Sequence, residues 1–193
     1  MQLLFFDLET MGLSPQYCSI LEIAAIVVDT DSGAGWETVN YFHQYIRPFS
    51  RIPYNITQIN GITNEMVENC SDEKTVLKEF ATWLTGNGYN TLPAYAHNGK
   101  FDFGFLVGRS SLYSSSIEEI FVDMRTRLKD TLPMARTLVK SGFLKTEGGK
   151  AKQELVAKAL GIQYHAHSAL EDAKALVLIV KKLNELGGIN IND

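Results

Sequence analysis

The pattern of apolar and polar residues predicts strands in the first half of the chain and mostly helices in the second. Apolar runs and alternation predict strands over residues 3–9, 20–30, 38–48 and 92–96. Helical spacing predicts helices over 63–70 and 73–85, and near 102–109, 131–141, 152–160 and 168–186. Glycines at Gly108, Gly142, Gly161 and Gly187 are expected to end most of the later helices. This order favours an α/β fold with helices on a mixed sheet, and we expect one domain over residues 1–193.

Composition narrows the class of protein. Hydrophobic residues make up 45% and charged residues 21% of the chain, which is typical of a globular protein in water. The two cysteines, Cys18 and Cys70, form no metal-binding or disulfide pattern and suit a reducing compartment. There is no export signal and no apolar stretch near the roughly 20 residues that span a membrane. We therefore expect a cytoplasmic protein with no membrane partner.

The net charge of −4 conceals an uneven distribution. Residues 1–99 contain 4 Lys and Arg against 11 Asp and Glu, whereas residues 100–193 contain 14 against 11. Nine basic residues and three acids fall within 125–158. A segment of this kind either follows a phosphate backbone or forms a solvated helix face, and charge alone leaves both open. The overall acidity disfavours a protein that coats long duplex DNA, but it permits one that holds a strand end.

Two carboxylates lie where a buried strand is predicted. Asp7 and Glu9 are two residues apart in the apolar run 3–9, so on a strand they share one face, about 7 Å apart. Their charges repel each other, and burial makes ionisation of each costlier. A divalent cation between them would remove both penalties. A strand that ends at residue 6 would instead leave both acids in solvent, and these two residues alone do not decide.

Two further carboxylates occupy positions that suggest chemistry. Asp172 interrupts the apolar face of the last predicted helix, between the directions of Ile179 and Leu183, whereas its neighbour Glu171 faces the polar side. A buried acid is usually paired with a basic side chain or bound to metal, and both interpretations stay open for Asp172. Asp102 follows the predicted strand 92–96, where it serves either as a ligand or as the N-cap of the next helix.

A histidine precedes Asp172 closely enough to lie over the same site. His167 falls in the predicted loop before the last helix, five residues before Asp172. Histidine is the side chain whose ordinary pKa lies nearest neutrality, which suits a general base. His165 is a competing candidate, and a surface position without function is the alternative for each.

The order and spacing of these residues resemble the DEDDh exonuclease superfamily, which includes proofreading exonucleases of bacterial replicative polymerases, RNase T and oligoribonuclease. The three motifs are Phe6-Asp7-Leu8-Glu9-Thr10, then Ala96-His97-Asn98 with Phe101-Asp102, then His167 and Asp172 in the pattern His-x-Ala-Leu-x-Asp-Ala. Secondary similarities at 59–63, 130–132 and 155–161 extend the resemblance over nearly the whole chain.

The resemblance implies a fold, a reaction and a set of cofactors. The fold is a ribonuclease-H-like mixed five-stranded sheet with helices on both faces. The reaction is the removal of nucleoside 5′-monophosphates from the 3′ end of single-stranded DNA or RNA, with two Mg²⁺ or Mn²⁺ ions. The superfamily pattern makes Asp7, Glu9, Asp102 and Asp172 the metal ligands and His167 the residue that activates water. A polymerase or a second copy of the chain would be its protein partner.

The residues that touch the terminal nucleotide are assigned by the same resemblance. They are Thr10, Met11, Asn60, Asn98 and Phe101, although core packing is the alternative for Phe101. The chain departs from the superfamily at Met11, where the common motif has threonine, so its contact with the last base is expected to differ from the common one. Met11 and Leu13 would either wedge against that base or pack inside.

Two alternatives to a DNA-proofreading enzyme stay open. An enzyme that clears short oligoribonucleotides would carry the same motifs. A catalytically idle nucleic-acid-binding or polymerase-associated module is disfavoured, because such a module has no need of a carboxylate on an apolar helix face.

Overall fold

The fold is built on a five-stranded mixed sheet, seen in a computed structural model that describes residues 1–33 and 35–192. The strands are β1 (Gln2–Thr10), β2 (Ile20–Ser32), β3 (Gly35–Tyr45), β4 (Ala94–Ala96) and β5 (Leu128–Asp130), in the order β3-β2-β1-β4-β5. β1 pairs antiparallel with β2 and parallel with β4, and β5 continues the parallel half. The carboxyl ends of β1 and β4 therefore lie side by side in the centre of the sheet.

Helices cover both faces of this sheet, as the sequence predicts. They are α1 (Tyr54–Asn60), α2 (Asn64–Val67), α3 (Glu73–Gly86), α4 (Gly99–Ser110), α5 (Ser115–Arg125), α6 (Thr131–Lys140), α7 (Gln153–Ala159) and α8 (Ala169–Glu185). On one face, Phe6 of β1 packs with α3, α4 and α5, and its ring lies 5.1 Å from that of Phe103. On the other face, Phe5 packs with α8. Because β1 buries alternate side chains against both layers, it is apolar throughout its central part.

Three elements were missed by the sequence prediction, and one helix end was wrong. The missed elements are α1, α5 and β5, although Ile117, Ile120 and Phe121 in α5 do follow helical spacing. Helix α4 continues through Gly108 to Ser110. A Cβ atom at Gly108 would lie 3.0 Å from the Cβ of Pro15, so close packing explains this glycine. The predicted helix at 63–70 is a single turn, α2.

The other predicted helix ends are confirmed. Gly142, Gly161 and Gly187 follow α6, α7 and α8 with φ angles of 78°, 75° and 72°, in the left-handed region that glycine adopts without strain. Among the described residues, no helix is both long and apolar enough to cross a membrane.

Candidate active site

The predicted acids meet at the carboxyl end of the central strand. Asp7 and Glu9 lie on the last part of β1, so the interpretation in which the strand ends at residue 6 is wrong. β4 lies beside β1 and leads into α4, whose first turn contains Asp102. Asp172 lies in the first turn of α8, which packs across β1 on the other face. The fold thus brings acids from three elements to one place.

The geometry of this cluster suits a cation. One carboxylate oxygen from each of Asp7, Glu9 and Asp172 can be chosen so that all three lie within 4.8 Å of one another. Asp102 lies close enough to Asp7 for its charge to raise the pKa of Asp7. Only burial raises that pKa more. Its carboxylate also accepts hydrogen bonds from the main chain of Leu8 and from its own N–H. Asp102 is only 3% exposed and the N-cap of α4 is Asn98, so the capping role is wrong.

Burial raises the pKa of every carboxyl group in the cluster, and repulsion by neighbouring carboxylates adds to it for Asp7, Glu9 and Asp102. Burial is the largest cause in each case. It acts with the charges of Asp172 and Glu22 to raise the pKa of Glu9 to about 8. The pKa of Asp102 is also raised to about 8, and that of Asp7 lies well above its ordinary value. Because ionisation of these carboxyl groups is costly, a bound divalent cation would strongly stabilise their charged forms.

Neutral donors hold Asp172 in place. Its Oδ1 accepts hydrogen bonds of 2.9 Å from both Gln153 Nε2 and Tyr164 Oη, and its Oδ2 accepts one of 2.7 Å from the main-chain N–H of His167. Within residues 1–33 and 35–192, no ion pair joins Asp172 to a lysine or arginine. The alternative of a salt bridge to a basic residue is therefore wrong, and the carboxylate keeps capacity for a cation.

His167 lies at the edge of the cluster in an unusual backbone conformation. Its φ angle is 72°, in the left-handed region that residues with a Cβ adopt only at a cost. The hydrogen bond from its N–H to Asp172 and the start of α8 immediately after it hold this conformation. His167 and His165 are both exposed, but the main-chain contact with the acid cluster is that of His167.

The predicted substrate contacts fall into two groups. Thr10 and Asn60 lie beside Glu9: Thr10 adjoins it on β1, and the Asn60 side chain makes a hydrogen bond that lowers the pKa of Glu9. Asn98 is exposed at the start of α4. Met11 is 8% exposed and Phe101 packs 5.0 Å from Phe105, so both have a packing role.

Leu13 is an exposed apolar side chain three residues beyond the end of β1. It lies two residues beyond Met11 and is 87% exposed. Of these two residues, Leu13 is therefore the one whose side chain is free to contact a base, whereas Met11 packs inside with Leu21, Ile52 and Ile62.

A further carboxylate at the site, fully buried, was missed from the sequence. Glu22 on β2 lies directly opposite Glu9 and has 0% exposure. It accepts a 3.0 Å hydrogen bond from the main-chain N–H of Ala169, at the first turn of α8, and its Oε1 lies 2.8 Å from His43 Nε2. An acid inside the apolar run 20–28 is the same signal that identified Asp7, so Glu22 was detectable. Gln153 and Tyr164 carry no comparable local signal.

The mixed sheet with an acidic cluster at the ends of β1 and β4 is typical of ribonuclease-H-like nucleases, and the comparisons with known proteins identify this one as an exonuclease domain. The RNase T exonuclease family profile matches residues 4–180. The chain belongs to this exonuclease family, which confirms the resemblance to the DEDDh superfamily.

Individual relatives share this domain. DNA polymerase III PolC-type from Staphylococcus aureus is 30% identical over an alignment of 194 positions, which covers 97% of this chain but only 12% of that protein. Exonuclease I from E. coli, solved with a dA16 oligonucleotide, superposes with a TM-score of 0.71 at 20% identity, over 95% of this chain and 41% of its own. The nuclease domain of 3'hExo, a DEDDh family member bound to rAMP, gives 0.68 at 22% identity, over 96% and 92%.

Proposed function

We propose that the chain is a metal-dependent 3′-to-5′ exonuclease that hydrolyses the terminal phosphodiester bond of single-stranded DNA or RNA and releases nucleoside 5′-monophosphates. One observation carries the proposal. Carboxylates from β1, α4 and α8 converge where their burial and repulsion oppose ionisation, with the exposed His167 at their edge. The membership of an exonuclease family supports it.

The acids fit a pair of Mg²⁺ or Mn²⁺ ions. Asp7, Glu9, Asp102 and Asp172 offer only oxygen donors, which these ions prefer, and none of them is neutralised by an ion pair among the described residues. When bound, two ions supply positive charge that stabilises the attacking and leaving oxygens of an in-line displacement. The donor set does not distinguish Mg²⁺ from Mn²⁺.

The chain's own residues bind the strand end and move a proton. Thr10 and Asn60 lie beside Glu9, where they would hold the terminal nucleoside, and the exposed Leu13 would contact its base. The imidazole of His167 takes a proton from a water whose oxygen forms a bond to phosphorus. The bond from phosphorus to the 3′-oxygen of the preceding nucleotide breaks, and that oxygen takes a proton from solvent.

The choice between DNA and RNA rests on the relatives. Exonuclease I was solved with a DNA oligonucleotide and 3'hExo with a ribonucleotide, so the fold accommodates both. The PolC-type relative is a DNA polymerase that contains a domain of this kind, which favours DNA as substrate and a polymerase as partner. Since this chain covers 12% of that protein, the remaining activities of PolC do not carry over.

Product analysis tests the proposal. Matched single-stranded DNA and RNA are incubated with the protein and Mg²⁺, Mn²⁺ or EDTA, and the released nucleotides are separated by chromatography. We expect nucleoside 5′-monophosphates with either metal, faster from DNA, and none with EDTA. Binding of the strand without any release would favour the idle module, and release of dinucleotides or 3′-monophosphates would contradict the proposed bond cleavage.

A further inference from the structure

A pocket with a basic wall adjoins the acidic cluster. It has a volume of about 500 Å³ and lies between the start of α4, helix α6 and the loop that precedes α7. We call it the basic pocket and define it by His97, Asn98, Arg136, Lys150, Lys152 and Gln153. Its size falls within the range of about 300–1,000 Å³ that ligand sites in proteins occupy.

The basic pocket and the acidic cluster share a wall. Gln153 lines the pocket, and its Nε2 donates hydrogen bonds of 2.9 Å to both the main-chain oxygen and Oδ1 of Asp172. Asn98, on the opposite wall, begins the helix whose first turn contains Asp102. The pocket therefore lies within reach of a strand that is bound at the acids.

The charges in the pocket suit a polyanion. Arg136, Lys150 and Lys152 are exposed, and the nearest carboxylate to Lys152 Nζ, that of Glu154, lies at 3.7 Å. Asp130 also lies close, but its Oδ1 already accepts main-chain hydrogen bonds from Asn98 at 2.9 Å and Leu132 at 3.0 Å. The pocket thus presents three cations beside a group of acids, and it accounts for part of the basic segment 125–158.

A half-buried histidine holds the loop that carries two of these cations. His97 Nε2 donates a 2.8 Å hydrogen bond to the carbonyl oxygen of Ala151, which lies between Lys150 and Lys152. Its Nδ1 lies 2.9 Å from the hydroxyl of Thr131. Burial lowers the pKa of His97, which agrees with a neutral ring that accepts from Thr131 and donates to Ala151. The lysines are therefore presented on an anchored backbone.

Two polar side chains contact the cluster at different carboxylates. Asn60 contacts Glu9, near which the terminal nucleoside is expected, and Gln153 contacts Asp172. With the phosphodiester to be cleaved at the acids, the basic pocket is a cationic surface that Gln153 joins to them, and its charge suits the remainder of the strand.

We propose that the basic pocket binds the phosphodiester backbone of the nucleotides 5′ to the cleaved bond, through Arg136, Lys150 and Lys152. This inference rests on the proposed exonuclease function. The pocket takes no part in the chemical step. It makes the protein bind a strand more tightly than a single nucleotide, and it makes this binding weaker as the salt concentration rises.

Two substrates of different length test the pocket. One is the p-nitrophenyl ester of thymidine 5′-monophosphate, which has no upstream strand; the other is an oligothymidylate of about twelve nucleotides, within the usual footprint of single-strand binding. In Arg136→Ala/Lys150→Ala we expect the ratio of KM for the oligonucleotide to KM for the ester to rise about tenfold, since an exposed ion pair contributes up to about fivefold. Lys74→Ala/Lys78→Ala, at two exposed positions on α3 outside this pocket, is the charge-matched control.

Strand binding without turnover separates failure of the pocket from failure of the function. Affinity for the same oligonucleotide is measured by fluorescence anisotropy with Ca²⁺ in place of Mg²⁺, over a range of salt. We expect the double variant to bind about tenfold more weakly, with a salt slope lower by about 0.7 for each lost contact. If the double variant binds with unchanged affinity and salt slope, the pocket does not bind the strand, even if the enzyme cleaves the ester. If the unchanged protein cleaves neither substrate but the double variant still binds the strand more weakly, the pocket is a strand-binding site and the exonuclease function is rejected.

Discussion

The main-chain N–H of His167 donates a 2.7 Å hydrogen bond to Oδ2 of Asp172, while the φ angle of His167 is 72°. The left-handed conformation costs a residue with a Cβ about 1–2 kcal/mol, so contacts such as this hydrogen bond must hold the loop in that conformation. The contact attaches the proposed proton acceptor to a proposed metal ligand. Loop and cluster are therefore expected to move as one unit.

Replacement of His167 should separate catalysis from stability. We expect His167→Ala to lower kcat by about 10²- to 10⁴-fold, the usual effect of losing a general base. His167→Gly should lose as much activity and yet be more stable than His167→Ala by about 1 kcal/mol, because glycine adopts this φ angle freely. Release of 5′-monophosphate and urea denaturation measure the two effects. His165→Ala is the control; an activity loss there, with full activity in His167→Ala, would transfer the role to His165.

Removal of one acid should abolish cleavage and relieve repulsion at the same time. Asp7 lies among Glu9, Asp102 and Asp172, each of which raises its pKa. We expect Asp7→Asn to have no measurable exonuclease activity and, with EDTA, a melting temperature equal to or above that of the unchanged protein. Metal should raise the melting temperature of the variant by less than it raises that of the unchanged protein. Cleavage by Asp7→Asn at a normal rate would remove Asp7 from the metal site.

Without metal, the stability of the protein should fall as pH rises. The pKa values of Glu9 and Asp102 are about 8 in the folded chain, above the ordinary values of 4.5 and 3.8. Between these limits the folded state binds more protons than the unfolded state. The contribution of these two carboxyl groups to stability is therefore complete below pH 3.8 to 4.5 and is lost as pH rises through about 8. Thermal unfolding with EDTA across this range measures it. Mg²⁺ should remove most of the decline, and a metal-free stability that increases toward pH 8 would contradict the clustering of the acids.

Glu22 is expected to position the catalytic helix. Its carboxylate accepts hydrogen bonds at the first turn of α8, so Glu22→Ala would leave the buried N–H of Ala169 without a partner. We expect a loss of about 1–3 kcal/mol in the free energy of unfolding, together with a lower kcat. Glu22→Gln keeps an acceptor oxygen and should recover most of both.

A surface carboxylate provides the comparison for Glu22. Glu79 bonds to Gln44 in an exposed contact, and its replacement by alanine should change stability by less than about 0.5 kcal/mol. If Glu22→Ala unfolds at the same urea concentration as Glu79→Ala, Glu22 does not hold α8 in place.

Three acids of the cluster stand out in the sequence because they break local patterns, whereas their common role, and that of Asp102, came from the resemblance to the superfamily. Asp7 and Glu9 interrupt an apolar strand, and Asp172 interrupts an apolar helix face. The partners of Asp172 could not be found in this way. Gln153 and Tyr164 are ordinary residues in their own segments, and only the packing of α7 and the following loop against α8 brings them to the carboxylate.

The fold was predictable where patterns are long and continuous. The runs that form β1, β2, α3 and α8 identified those elements to within a few residues. β5 contains three residues, too few to show a period, and it exists because Leu128–Asp130 pairs with β4. The burial of Met11 likewise depends on the distant residues Ile52 and Ile62, so its sequence neighbours could not indicate whether it packs or contacts substrate.

A strand-shortening assay tests the central claim most directly. A single-stranded DNA labelled at its 5′ end is incubated with Mg²⁺ and either the unchanged protein or Asp172→Asn, and the products are separated on a denaturing gel. The account predicts a ladder that shortens from the 3′ end one nucleotide at a time, absent in the variant and absent with EDTA. Immediate release of a labelled mononucleotide would show attack from the 5′ end, and an identical ladder in Asp172→Asn would show that the acidic cluster is not the active site.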